Sequence, residues 1–124
     1  MLENFGIGID IVDINRFKET PYKEKITFYE KIFDKKEIEY CLQFKDPYPH
    51  FAGKFAVKEA VIKSIPDKIP FLDIKTSNSK HGPIVSIVGN LVKKYSFLVS
   101  ISHEKEYAIV VVISEIMSSQ RNLL

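Results

Sequence analysis

Residues 50–65 read His50-Phe51-Ala52-Gly53-Lys54-Phe55-Ala56-Val57-Lys58-Glu59-Ala60-Val61-Ile62-Lys63-Ser64-Ile65, and the pattern predicts one long helix from about His50 to Ile65. Ala52, Ala56 and Ala60 recur every four residues, so they form a smooth stripe that can lie close against a sheet. Phe51, Phe55, Glu59 and Lys63 follow the same interval on another face, with Lys54, Lys58 and Ile62 in a neighbouring row. One carboxylate on this helix is thus surrounded by three amines.

The segments on either side define the layers. Phe5, Ile7, Ile9 and Ile11 alternate with Gly6, Gly8, Asp10 and Val12, the period of two expected of a strand with one buried face. Asp10 therefore projects from the side opposite the isoleucines. Short helical pieces are expected at Ile14 to Thr20 and Glu24 to Phe33, separated by Pro21. Asp34 and Glu37 form a capping-box pair that opens another helix with Ile38, Cys41 and Leu42 on its apolar side; Asp46-Pro47-Tyr48-Pro49 ends it. After Pro66 and Pro70 the pattern becomes strands: Phe71 to Thr76, Pro83 to Val88, Phe97 to Ser102 and Tyr107 to Ile113. Ser79-Lys80-His81-Gly82 and His103-Glu104-Lys105-Glu106 are hairpin connections. Strands gathered after a block of helices predict an α+β layer structure within one domain, residues 1–124.

Composition narrows the function. Eighteen basic and 16 acidic residues leave a formal charge of +2, too little for a general nucleic-acid binder. The single cysteine, Cys41, permits no internal disulfide or thiolate cluster and fits a reducing compartment. The longest strongly apolar run, Tyr107 to Ile113, is far short of the roughly 20 residues of a membrane span. Glu3 and Asp10 bracket the first apolar stretch, unlike a signal peptide. A cytoplasmic protein that binds neither membrane nor nucleic acid is expected.

Gly6-Ile7-Gly8 is no dinucleotide loop, because Ile11 stands where a third glycine is needed; two glycines in a strand instead let another backbone come close. Asp10, embedded in Ile9-Asp10-Ile11-Val12, is expensive to desolvate without a cation or donors; the alternative is a solvated aspartate on an edge strand. Glu59 and Lys63 form either an exposed ion pair or part of a phosphate and metal site. In the second case Lys54, Lys58 and Lys63 face phosphates, while Asp10 and Glu59 hold Mg²⁺, which takes one or two carboxylates and keeps several waters. His103 ends a strand face where an imidazole can reach a ligand, whereas His50 and His81 sit in polar punctuation. Cys41 reads as a packed thiol.

Together, Gly6-Ile7-Gly8-Ile9-Asp10-Ile11-Val12, the run from Phe51 to Lys63, and Ser100-Ile101-Ser102-His103 followed by Glu106-Tyr107-Ala108 resemble the three signatures of the holo-acyl-carrier-protein synthases, the short 4′-phosphopantetheinyl transferases. The resemblance implies their α+β fold, an antiparallel sheet packed against a long helix with shorter helices. It also implies transfer of 4′-phosphopantetheine from coenzyme A to a serine of an apo acyl carrier protein, releasing adenosine 3′,5′-bisphosphate, with Mg²⁺ present. Asp10 and Glu59 match metal ligands, and Glu59 or a water it orients matches the base; Lys63 matches the cation beside the transferred phosphate. Lys58 and His103 match positions near the coenzyme phosphates, with Lys54 in place of a more usual arginine, and Arg16 matches a carrier-docking residue. The resemblance further implies a homotrimer with sites at subunit interfaces. Ser64-Ile65-Pro66-Asp67 replaces the family's glycine-containing loop, which keeps a second reading open: a non-catalytic coenzyme A or carrier-binding module of the same fold.

Overall fold

The computed structural model describes residues 2–117; Met1 and residues 118–124, the ends of the expected 1–124 domain, lie outside the described residues. Strand β1 (Phe5–Asp13) pairs antiparallel with β5 (Tyr107–Ile116), which pairs antiparallel with β4 (Tyr95–Glu104), so the sheet order is β1-β5-β4. Between β1 and β4 the chain forms helices α1 (Asn15–Lys18), α2 (Ile26–Glu30), α3 (Lys35–Leu42) and α4 (Tyr48–Ser64), then a separate antiparallel hairpin of β2 (Ile74–Ser79) and β3 (Gly82–Ile87). Helix α4 packs across β1 and β5. The α+β class, the antiparallel sheet on a long helix and both hairpins are as the sequence predicts.

The alternation along β1 holds, but its buried side is the one with small residues. Gly8 and Val12 face α4, while Ile7, Ile9 and Ile11 are 68%, 64% and 60% exposed on the outer surface. The reason is the closeness of the helix: a Cβ built on Gly6 would lie 1.8 Å from the Ser64 carbonyl oxygen, and one on Gly8 1.8 Å from that of Ala60. Both glycines thus allow the approach of another backbone, and Ala52, Ala56 and Ala60 complete the contact as fully buried residues. Ala108, Val110 and Val112 of β5, cross-strand partners of Val12, Asp10 and Gly8, fill the same layer at 0% exposure.

Beside this layer lies an aromatic cluster. Phe17, Tyr29, Phe33 and Phe51 are buried together, and the Tyr29–Phe51 ring centroids are 4.7 Å apart. The Tyr29 hydroxyl donates to the Thr20 carbonyl at 2.7 Å, which satisfies the one polar atom of that ring. The capping box of α3 forms as expected: Glu37 N–H donates to Asp34 Oδ1 at 2.8 Å and Asp34 N–H to Glu37 Oε1 at 2.9 Å.

Element boundaries differ where turns intervene. Helix α4 begins at Tyr48 because Pro49 falls in its first turn, where no intrahelical N–H is needed. The segment Glu24 to Phe33 divides at Lys25, whose φ of −135° and ψ of 43° lie outside the helical region and separate a 3₁₀ turn (Tyr22–Glu24) from α2. Phe71–Asp73 is a 3₁₀ turn, so β2 starts only at Ile74.

Candidate active site

Asp10 projects from the inner face of β1 toward the C-terminal half of α4. Lys63 Nζ donates to Asp10 Oδ1 at 3.0 Å and to the Ile9 carbonyl at 3.1 Å. The Asp10 side chain is 13% exposed, and its second oxygen, Oδ2, is buried with no hydrogen-bond partner. A carboxylate oxygen in that state is costly unless a cation or donor arrives. Glu59, one helical turn before Lys63, has its carboxyl held above the ordinary range first by burial and then by the charge of Asp10, with Lys63 and Arg16 opposing. The two acidic residues, 49 positions apart, therefore share one neighbourhood. Among the described residues no cluster of three or more His, Cys, Asp or Glu forms. Two hard carboxylates with an orphan oxygen do suit a cation that keeps most of its shell as water, so the donor set fits Mg²⁺.

A groove of about 590 Å³ opens beside Glu59, lined by Arg16, Phe17, Phe28, Lys31, Phe55 and Phe71 among others. The Arg16 guanidinium stands 5.5 Å from the centroid of the Phe55 ring, so α1 delivers a cation to the rim of the same groove as Glu59.

Two other expected ligand residues meet beside the N-terminal half of α4, Lys54 from the helix and His103 from β4. Lys54 and His103 line a narrow cavity of about 80 Å³, together with Tyr40, His50, Thr76 and Asn78. The His103 ring reaches this cavity because His103 pairs with Ala108 on the helix-facing side of the sheet and ends over Gly53. Its Nε2 lies 3.4 Å from the Pro49 carbonyl oxygen. No described cavity is lined by both Lys54 and Glu59.

Lys58 departs from the expectation of a phosphate ligand. It is fully buried, and its ammonium donates to Glu37 Oε1 at 2.8 Å, to the Ile32 carbonyl at 2.8 Å and to the Phe71 carbonyl at 3.1 Å. All three N–H groups are thereby spent inside the protein, and none is left for a coenzyme. Glu37, read from sequence only as a cap, is the partner that sequence reasoning missed. Its Oε2 also accepts from Thr76 N–H at 2.9 Å and from Thr76 Oγ1 at 2.6 Å. His50 lines the same cavity as Lys54 and His103 although it reads as punctuation. Its spacing of four from Lys54 on one helix was the available signal, and its ring stacks on Phe44 at 3.7 Å.

The loop that replaces the glycine-containing one is tied by side chains. Ser114 Oγ donates to the Ser64 carbonyl at 2.8 Å, Ile65 and Ile69 are buried, and Asp67 accepts from the Tyr95 hydroxyl and, at 2.9 Å, from Lys94 Nζ.

A family model describing the 4′-phosphopantetheinyl transferase superfamily matches residues 6–112. The chain is 40% identical over 111 residues to the holo-acyl-carrier-protein synthase of Thermodesulfovibrio yellowstonii, covering 87% of this chain and 96% of that protein. It is 38% identical over 120 residues to the corresponding synthase of Chlamydia caviae, covering 91% and 98%. Among solved structures, the Helicobacter pylori synthase in complex with coenzyme A superposes with a TM-score of 0.75 at 36% identity, over 88% of this chain and 99% of that one. The Bacillus anthracis synthase in complex with coenzyme A (3′,5′-ADP) gives 0.75 at 32% identity, over 90% and 96%.

Proposed function

Since the chain belongs to the 4′-phosphopantetheinyl transferase superfamily, among its holo-acyl-carrier-protein synthases, we propose that it transfers 4′-phosphopantetheine from coenzyme A to a serine hydroxyl of an apo acyl carrier protein and releases adenosine 3′,5′-bisphosphate. The observation that carries the site assignment is the buried, unpartnered Oδ2 of Asp10 beside a Glu59 whose carboxyl is raised by burial and by Asp10 itself.

In this reading Asp10 and Glu59 hold Mg²⁺. When bound, the ion neutralises charge on the phosphate oxygens of the donor. Phosphoryl transfer asks the protein chiefly for alignment and neutralisation, so the absence of a nucleophile motif agrees with the chemistry. Glu59, or a water it orients, takes the proton of the attacking serine hydroxyl. Lys63, held by Asp10 and the Ile9 carbonyl, directs its positive charge at the transferred phosphate and the departing oxygen. Arg16, at the rim of the groove beside Glu59, meets the acidic surface of the carrier. Lys54 and His103 take the phosphates of the coenzyme.

Lys54 and Glu59 line separate cavities of one chain, which supports a site assembled between subunits: the carboxylates of one protomer meet the Lys54 cavity of the next. The exposed row of Ile7, Ile9 and Ile11, continued by Leu98 at 72% exposure, supplies an apolar face for such a homotrimer. No described helix is long and apolar enough to cross a membrane, and Cys41, the one cysteine, is buried as a thiol; both agree with work in the cytoplasm. Incubation with coenzyme A, Mg²⁺ and a panel of apo carriers, followed by mass spectrometry of the carriers, tests the proposal. One carrier should gain a single phosphopantetheinyl group. Tight coenzyme binding with no carrier modified would leave the module without catalysis.

A further inference from the structure

Lys54 is only 8% exposed, and an ammonium at that depth needs acceptors for its N–H groups. One residue provides them. Thr76 Oγ1 lies 3.1 Å from Lys54 Nζ and the Thr76 carbonyl oxygen 3.4 Å, while the Tyr40 ring centroid lies 4.7 Å away. Among the described residues no carboxylate forms an ion pair with Lys54. The two carboxylates whose charge reaches it are both engaged: Glu37 with Lys58 at 2.8 Å and Asp34 with Lys75 at 3.1 Å, while the buried Cys41 thiol, pushed up to about 12, stays neutral. Three ammonium groups share two carboxylates, so one positive charge is left over at the cavity shared with His50 and His103.

The orientation of the Thr76 hydroxyl is fixed. Its single hydrogen goes to Glu37 Oε2 at 2.6 Å, in parallel with the Thr76 N–H at 2.9 Å, so a lone pair of Oγ1 must face Lys54. A neutral oxygen thus stands between Lys54 and the buried carboxylate. It orients the ammonium without cancelling its charge.

We infer that Thr76 is the positioning residue that holds Lys54 as an uncompensated cation for a phosphate of coenzyme A. This deepens the reading above and rests on its assignment of the Lys54 cavity to the coenzyme.

Calorimetric titration of coenzyme A into the full chain with Mg²⁺, paired with steady-state kinetics on an apo carrier, tests the inference. Thr76→Val raises Kd and KM for coenzyme A by about tenfold and leaves kcat at saturation within about twofold, because Thr76 touches Lys54 and lines no cavity with Glu59 or Lys63. Thr76→Ser, which keeps the hydroxyl, restores both constants. Lys54→Ala weakens binding at least as much, and the double variant binds no more weakly than Lys54→Ala alone. Should Thr76→Val lose its cooperative melting transition, Thr76→Ala takes its place, since its backbone N–H still reaches Glu37. Unchanged affinity in Thr76→Val, no rescue by serine, or additive losses in the double variant overturn the role of Thr76. Unchanged affinity in Lys54→Ala instead overturns the underlying assignment of the cavity, so the two failures are told apart.

Discussion

Lys58 and Lys63 lie on the same helix, and burial separates their work: Lys58 is fully buried against Glu37, whereas the Lys63 side chain is 52% exposed beside Asp10. Removing Lys58 strands a buried carboxylate. Lys58→Met should therefore cost about 3–5 kcal/mol in urea unfolding, while folded protein keeps its affinity for coenzyme A within about twofold. Glu59→Gln behaves in the opposite way. It should lower kcat by about 100-fold or more with little change in thermal midpoint; equal turnover in the two proteins would remove Glu59 from the chemistry. The sequence could place Lys54, Lys58, Glu59 and Lys63 on one helix but could not tell them apart. What decides their roles is which groups arrive from Glu37, 21 positions before Lys58, and from Asp10, 53 positions before Lys63.

At the level of elements, the contact between β1 and α4 depends on two missing side chains. Gly8→Ala would drive a methyl group to within 1.8 Å of the Ala60 carbonyl, and the main chain on both sides has no flexible end to yield. A loss of about 3 kcal/mol or more in denaturant unfolding is expected, with Gly6→Ala similar. The period of β1 was legible in the sequence, and so were the glycines as a site of close approach. The inner side was not, because hydrophobicity alone puts isoleucine inside and only the proximity of α4 reverses that. A second joint ties the loop after α4 to β4. The Tyr95 hydroxyl and then Lys94 hold the Asp67 carboxyl below its ordinary range. Since its folded pKa is depressed, the stability it contributes is complete above the unfolded value of 3.8 and is lost as the pH falls through the lower folded value. The difference in melting temperature between wild type and Asp67→Asn should be constant near neutrality and shrink only below about pH 4. A difference that shrinks between pH 6 and 8 would contradict this linkage.

Over the whole molecule the sheet has one face sealed by α4 and one apolar face open. The open face holds Ile7, Ile9 and Ile11 opposite Ile113, Val111 and Ile109, an arrangement that a lone chain does not bury. If the proposed trimer uses this face, Ile9→Glu, at a position 64% exposed, should leave far-UV circular dichroism intact, convert that trimer to monomers in sedimentation equilibrium, and abolish carrier modification. Activity in a monodisperse monomer would contradict the shared site. The proposed trimer rests on the resemblance and on this open face, because the apolar row on β1 looks the same in sequence whether a helix or another subunit covers it. One carboxylate spans several of these levels. Glu37 closes the first turn of α3 and neutralises Lys58 with one oxygen, and fastens the hairpin of β2 and β3 through Thr76 with the other. Releasing any one of these partners leaves the buried carboxylate short of a donor. The start of a helix, a charge in the interior and the wall of a cavity therefore share one acceptor, and a fluctuation that swings Glu37 away loosens all three together.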